Sequence, residues 1–186
     1  MSPLVGARPA DVPDACLMRR WGMDPWLPEG FENPTLMSVP PDHHLRPIRP
    51  SDVHIDYPAV MGSRERLWAQ FGEPHGWPHE SLTYEDDLAD LIRHEAEMDD
   101  NLSFNYALLD CDESYLAGCV YIDPPERVGA DADISYWLID SLDESPVATS
   151  LETVVRRWIG ESWPFTNPRF IGSDVSWEEW LRLPTP

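Results

Sequence analysis

Residues Phe104–Gly160 read FNYALLDCDESYLAGCVYIDPPERVGADADISYWLIDSLDESPVATSLETVVRRWIG. Phe104–Leu109 alternates in polarity and predicts a strand. After a short acidic turn, Tyr115–Ile122 is almost continuously apolar, as a central strand covered on both faces requires. Pro124 to Gly129 breaks the chain, and Ile134–Ile139 predicts a third strand. Leu151, Val154, Val155, Trp158 and Ile159 then recur at i, i+3, i+4, i+7 and i+8. That stripe predicts an amphipathic helix over Ser150–Ile159, closed by Gly160. Three strands followed by a packed helix predict an α+β fold, with a mixed, mostly antiparallel sheet flanked by helices.

Upstream, His44–Ile48 predicts an edge-like strand. Ser51-Asp52 offers a helix start, and Tyr57, Val60, Met61, Leu67, Trp68 and Phe71 continue at helical spacing to Gly72, predicting one helix. A loop from Glu73 to Glu80 follows. Ser81 or Thr83 can cap a second helix with Tyr84, Leu88, Leu91, Ile92 and Glu95 on one face and acids in its first turn. Downstream, Arg169–Ile171 predicts a last strand, and Trp177–Leu183 a turn or two of helix. Residues 1–35 stand apart. Pro3, Pro9, Pro13, Pro25, Pro28 and Pro34 forbid regular structure there. Trp21, Trp26 and Phe31 argue for an ordered arm, laid over the domain or over a neighbouring copy in a homodimer. Residues 36–186 are read as the domain.

The 34 acids and 13 bases of the 186-residue chain give a formal charge of -21. Such a surface repels phosphate backbones, so nucleic acid is excluded as the expected partner; an amine would be attracted. Every base is Arg. Cys16, Cys111 and Cys119 form no metal spacing and no disulfide framework, which together with the absence of an apolar leader or of a membrane-length apolar run leads to the expectation of a cytoplasmic protein.

The element order, with Gly118–Ile122 (Gly-Cys-Val-Tyr-Ile), Asp131–Trp137, Arg157–Ile159 and Trp163–Phe165, resembles the GNAT superfamily of acyl-CoA-dependent N-acyltransferases, in particular an uncharacterised bacterial branch. The resemblance spans about residues 36–175. It implies acetyl-CoA as co-substrate, without a metal, and acyl transfer to an amine of a small molecule or peptide. It implies that the pantetheine arm pairs with the strand holding Trp137, Leu138 and Ile139, and that Ala148, Thr149 and Ser150 lie near the pyrophosphate. The stretch Glu144–Thr149 departs from the family loop. Glu144 stands where Arg or Gln is usual, and Pro146 and Val147 replace an amide donor and a glycine. A GNAT-fold protein that binds a ligand or partner without catalysis is therefore the competing reading.

By the same resemblance, Asp133, with Asp131 two residues away on the same face of an extended chain, matches the position of a general base. Trp77, His79, Tyr106, Tyr121 and Tyr136 are the candidates for acceptor contacts. His75 and His79 are separated by Gly and Pro, which prevents the helical i, i+4 alignment of a metal pair, so no metal is expected. No Tyr follows the last predicted strand, so no general acid is assigned.

Overall fold

The computed structural model describes residues 26–186, and residues 32–186 form one compact unit. Most of the arm expected at 1–35, with Trp21 and Cys16, lies outside the described residues. Six strands form a single sheet in chain order: β1 (Met37–Val39), β2 (His43–Pro47), β3 (Phe104–Asp110), β4 (Leu116–Asp123), β5 (Ala132–Leu138) and β6 (Pro168–Phe170). All neighbours are antiparallel except β5 and β6. The short β1 has no sequence pattern long enough to announce it.

The single helix expected from Ser51 to Gly72 is two: α1 (Val53–Gly62) and α2 (Arg64–His75), parted at Ser63 after a 3-10 turn at Pro50–Asp52. Gly76, at φ 66°, supplies the left-handed C-terminal cap of α2. Thr83 caps α3 (Tyr84–Asp99), its hydroxyl accepting from the Asp86 N–H at 3.1 Å. α4 (Pro146–Ser162) begins four residues earlier than the apolar stripe indicates, and α5 (Trp177–Leu181) follows β6.

The predicted stripe of α4 is buried: Leu151 and Val155 are fully covered and Trp158 lies edge-to-face on Tyr106, 4.8 Å between ring centres. On the other sheet face, α1, α2 and α3 cover Ala107, Leu109, Cys119 and Trp137. Alternation along β4 thus divides the molecule, with Val120 and Ile122 towards the α4 side and Cys119 and Tyr121 towards α1–α3. Gly118 pairs with Leu138, and a Cβ there would stand 2.0 Å from the Trp137 carbonyl oxygen, so only glycine allows this crossing.

Candidate functional site

β5 and β6 stay together for only three residue pairs, Ala132–Pro168, Asp133–Arg169 and Ile134–Phe170. The Ile171 N–H donates to the Ile134 carbonyl at 2.8 Å, and beyond it β6 ends while β5 runs on to Leu138. Because backbone groups alternate sides, Tyr136 and Leu138 point their N–H and C=O groups into this opening, as Ile134 does. The result is a cleft of about 540 Å³ lined by Trp137, Leu138, Tyr136, Ala148, Thr149 and Trp177, among others.

Two features of the cleft were not legible in advance. The carbonyls of the open edge are occupied from α2: Gln70 donates to Tyr136 O at 3.2 Å, and Arg66 donates to Leu138 O. The N-terminus of α4, which closes one end, is capped by its own chain. Ser145 Oγ accepts from the Val147 N–H at 3.2 Å, and Ala148 N–H bonds to Ser145 O at 3.1 Å. Pro146 sits at the first helical position, where its missing donor is not lost. Val147 is buried and faces the core. With Asp143 and Glu152 also lining the cleft, this helix end does not fit a pyrophosphate; the open edge does fit an extended amide chain.

A second cavity, also about 540 Å³, lies between α1–α3 and the other face of the sheet, and shares Trp137 with the first. Its walls are Ile48, Val60, Phe71, Leu91 and Trp77, yet six carboxyl side chains line it: Asp56, Asp87, Asp90, Glu97, Asp123 and Glu126. Burial, and then the charge of Asp87, push the Asp56 carboxyl well above the ordinary range. Burial pushes Asp87 up to about 6. The hydrogen bond between them raises the first and lowers the second, as two buried carboxyls sharing a proton do. At the far end of β4, burial raises Asp123 to about 6 against a hydrogen bond from Ser103 at 2.5 Å.

The residues singled out from sequence divide between these places. Trp77, Tyr121 and Trp137 line the acidic cavity, with the Trp137 indole N–H bonded to Tyr121 Oη at 2.9 Å. Tyr136, Trp137, Leu138, Ala148 and Thr149 line the cleft; Ile139 and Ser150 flank it. Tyr106 lies in the α4-side core, its hydroxyl donating to Pro34 O at 2.7 Å. His79 is exposed and bonded to Ser81. Asp133 is buried outside both openings, Oδ1 accepting from Arg169 at 2.8 Å and Oδ2 from Trp180 at 3.0 Å. Asp131 binds the Thr166 and Asn167 N–H groups. These hydrogen bonds outweigh its desolvation and hold it below the ordinary carboxylate range. The sequence did carry a signal for the missed acids. Asp56 stands between Val53 and Val60, and Asp87 before Leu91, each on a buried helix face.

No family profile and no curated protein matches the chain. Solved structures do. A ribosomal-protein-S5-alanine acetyltransferase from Vibrio fischeri superimposes with a TM-score of 0.55 at 20% identity, over 68% of this chain and 67% of that one. The chain has the GNAT fold. A ribosomal L7/L12 α-N-protein acetyltransferase in complex with coenzyme A matches at 0.52 and 18% identity, over 66% and 67% of the two chains. A microcin C7 self-immunity acetyltransferase in complex with acetyl-CoA and AMP matches at 0.54 and 15%, over 70% and 69%. In the GNAT fold seen here, the parting of β5 from β6 is the feature that opens the cleft. Among the described residues no group of three or more His, Cys, Asp or Glu stands where it could hold a metal ion, and no helix is long and apolar enough to cross a membrane.

Proposed function

We propose that the protein is an acyl-CoA-dependent N-acetyltransferase whose acceptor amine enters from the acidic cavity. The observation that carries this reading is the meeting of two openings at Trp137: an unpaired strand edge on one side, and a carboxylate-lined chamber on the other. The edge would take the pantetheine arm through the Tyr136 and Leu138 backbone, and solved structures of this fold that hold coenzyme A or acetyl-CoA support that role. Asp123, raised to about 6, is matched to accept a proton from an ammonium near neutral pH. The neutral amine nitrogen attacks the thioester carbonyl and the C–N bond forms; the nitrogen then gives up its extra proton to water, the C–S bond breaks, and the departing thiolate takes up a proton from the same water. Asp133, held by Arg169 and Trp180, is assigned to bracing β5 against β6 and α5.

The non-catalytic reading has its own support, in the Arg66 and Gln70 side chains already seated on the strand edge and the self-capped α4 terminus. Calorimetric titration with acetyl-CoA separates the two, followed by thiol release with a panel of amines. Acetyl-CoA binding with amine-dependent thiol release is expected. No binding at millimolar acetyl-CoA overturns the acetyltransferase reading.

A further inference from the structure

The acidic cavity has the composition of a site for a linear di- or triamine. We infer, resting on the acetyltransferase reading above, that the acceptor is an aliphatic polyamine, bound with one ammonium at Asp56–Asp87 and its reacting amine near Asp123.

Acidity by itself would be a solvated surface. Two buried acceptors set this chamber apart. Asn105 Oδ1 has no hydrogen-bond partner among the described residues, Asp87 Oδ2 has none beyond the proton the Asp56–Asp87 pair shares, and the two residues are only 2% and 3% exposed. Both side chains line the cavity. A buried acceptor left bare is costly, and an ammonium brings three donors. His94 also lines the cavity, with Nδ1 turned to Glu97 at 3.4 Å. Arg93 is committed to Asp90 and Glu97, at 3.2 and 3.0 Å.

The acids stand at two ends. Cys119 Sγ lies 4.0 Å from Asp56 Oδ1, which fixes the Asp56–Asp87 pair at the Cys119 level of β4. Asp123 lies four residues further on the same strand face, about 13 Å along an extended chain. The wall between them is apolar and aromatic, with Val60, Phe71, Leu91, Trp77 and Trp137. Methylenes belong against that wall, and an ammonium gains further from the Trp faces. Charge at both ends with hydrocarbon between is the pattern of cadaverine, and spermidine adds a middle ammonium for the Trp faces. An amino-acid or peptide α-amine would bring its carbonyl or carboxylate against the same acids. A metal ion would need its ligands gathered at one point, and they are not.

The test is calorimetric titration of the full chain with spermidine, cadaverine and pentylamine at physiological ionic strength, in the absence of acetyl-CoA. One-site binding of the first two is expected, with pentylamine about tenfold weaker for want of its second charge. Asp87→Asn should weaken spermidine about tenfold while the acetyl-CoA titration is unchanged. Should Asp87→Asn misfold, Asp123→Asn replaces it with the same expectation. Equal affinity for pentylamine, or weak multi-site binding that ignores both substitutions, overturns the proposal, because the acidic surface would then be acting as a diffuse field. The two readings fail separately. Spermidine binding without acetyl-CoA binding removes only the transferase reading, and turnover of a peptide amine without spermidine binding removes only the polyamine.

Discussion

The indole N–H of Trp137 donates to the hydroxyl of Tyr121 at 2.9 Å, between neighbouring strands, and Trp137 lines both cavities while Tyr121 lines the acidic one. Trp137 is 2% exposed, so the bond is shielded from water on the sheet side. Trp137→Phe keeps most of the ring and deletes the donor. A loss of about 1–2 kcal/mol is expected, read as a lower denaturant midpoint at constant slope. An unchanged midpoint would show that water from a cavity replaces the bond.

Gly118 is the tightest crossing in the sheet. An added methyl group would collide with the Trp137 backbone, which cannot rotate away as a side chain would. Gly118→Ala should therefore destabilise by about 3 kcal/mol, at the upper end for overpacking. The same substitution at Gly160, where nothing lies within 4 Å, is the control and should be close to neutral or stabilising. Similar effects at the two positions would dispose of the steric account.

Trp158, 1% exposed and stacked edge-on with Tyr106 and Trp163, anchors α4 to the sheet. Trp158→Ala should cost about 3–5 kcal/mol. This packing was legible because a 3.6-residue apolar period and a continuous apolar strand leave few ways to bury both. The α1–α2 break at Ser63 was not legible, since the apolar spacing runs straight through it. The site was half legible. Strand positions such as Trp137, Leu138 and Tyr121 follow from pattern, whereas Asp123 and Arg66 are made important only by what the fold sets opposite them.

Acidification to about pH 5 should stabilise the protein. Asp87 and Asp123 have folded values near 6, above the ordinary 3.8, so the native state binds more protons than the unfolded chain between those limits. Stability therefore falls as pH rises from about 4 to 6, by a few kcal/mol for the two groups together, and Asp56, which burial raises well above the ordinary range, carries the fall to higher pH. Below about pH 4.5 the opposite sign takes over. Glu113, held near 2 by hydrogen bonds from Arg46, loses its contribution as it protonates. Thermal midpoints should peak near pH 5, and Asp87→Asn should flatten the slope between pH 5 and 7. A profile already at its maximum at pH 7 would contradict the raised carboxyls.

The strand edge gives the last test. An acyl-CoA that pairs with β5 must meet the Tyr136 and Leu138 carbonyls, and Gln70 and Arg66 already hold them. Arg66 is also tied to Asp140 and Asp143, at 2.8 and 3.4 Å, so it is the harder of the two to displace. The Gln70 amide makes a single, partly buried bond to the edge. Gln70→Ala frees one acceptor without leaving a buried charge, and should tighten acetyl-CoA binding by about 1 kcal/mol, roughly fivefold. Ser145→Gly releases the α4 amide it caps and should tighten binding by a similar amount, less a small loss of helix stability. The two effects should add, because the groups act on different parts of the ligand. Weaker binding after Gln70→Ala would mean that the amide touches the ligand rather than competing with it. Absence of binding in the double variant would leave β5 as an edge closed by its own side chains, and the cleft without a coenzyme.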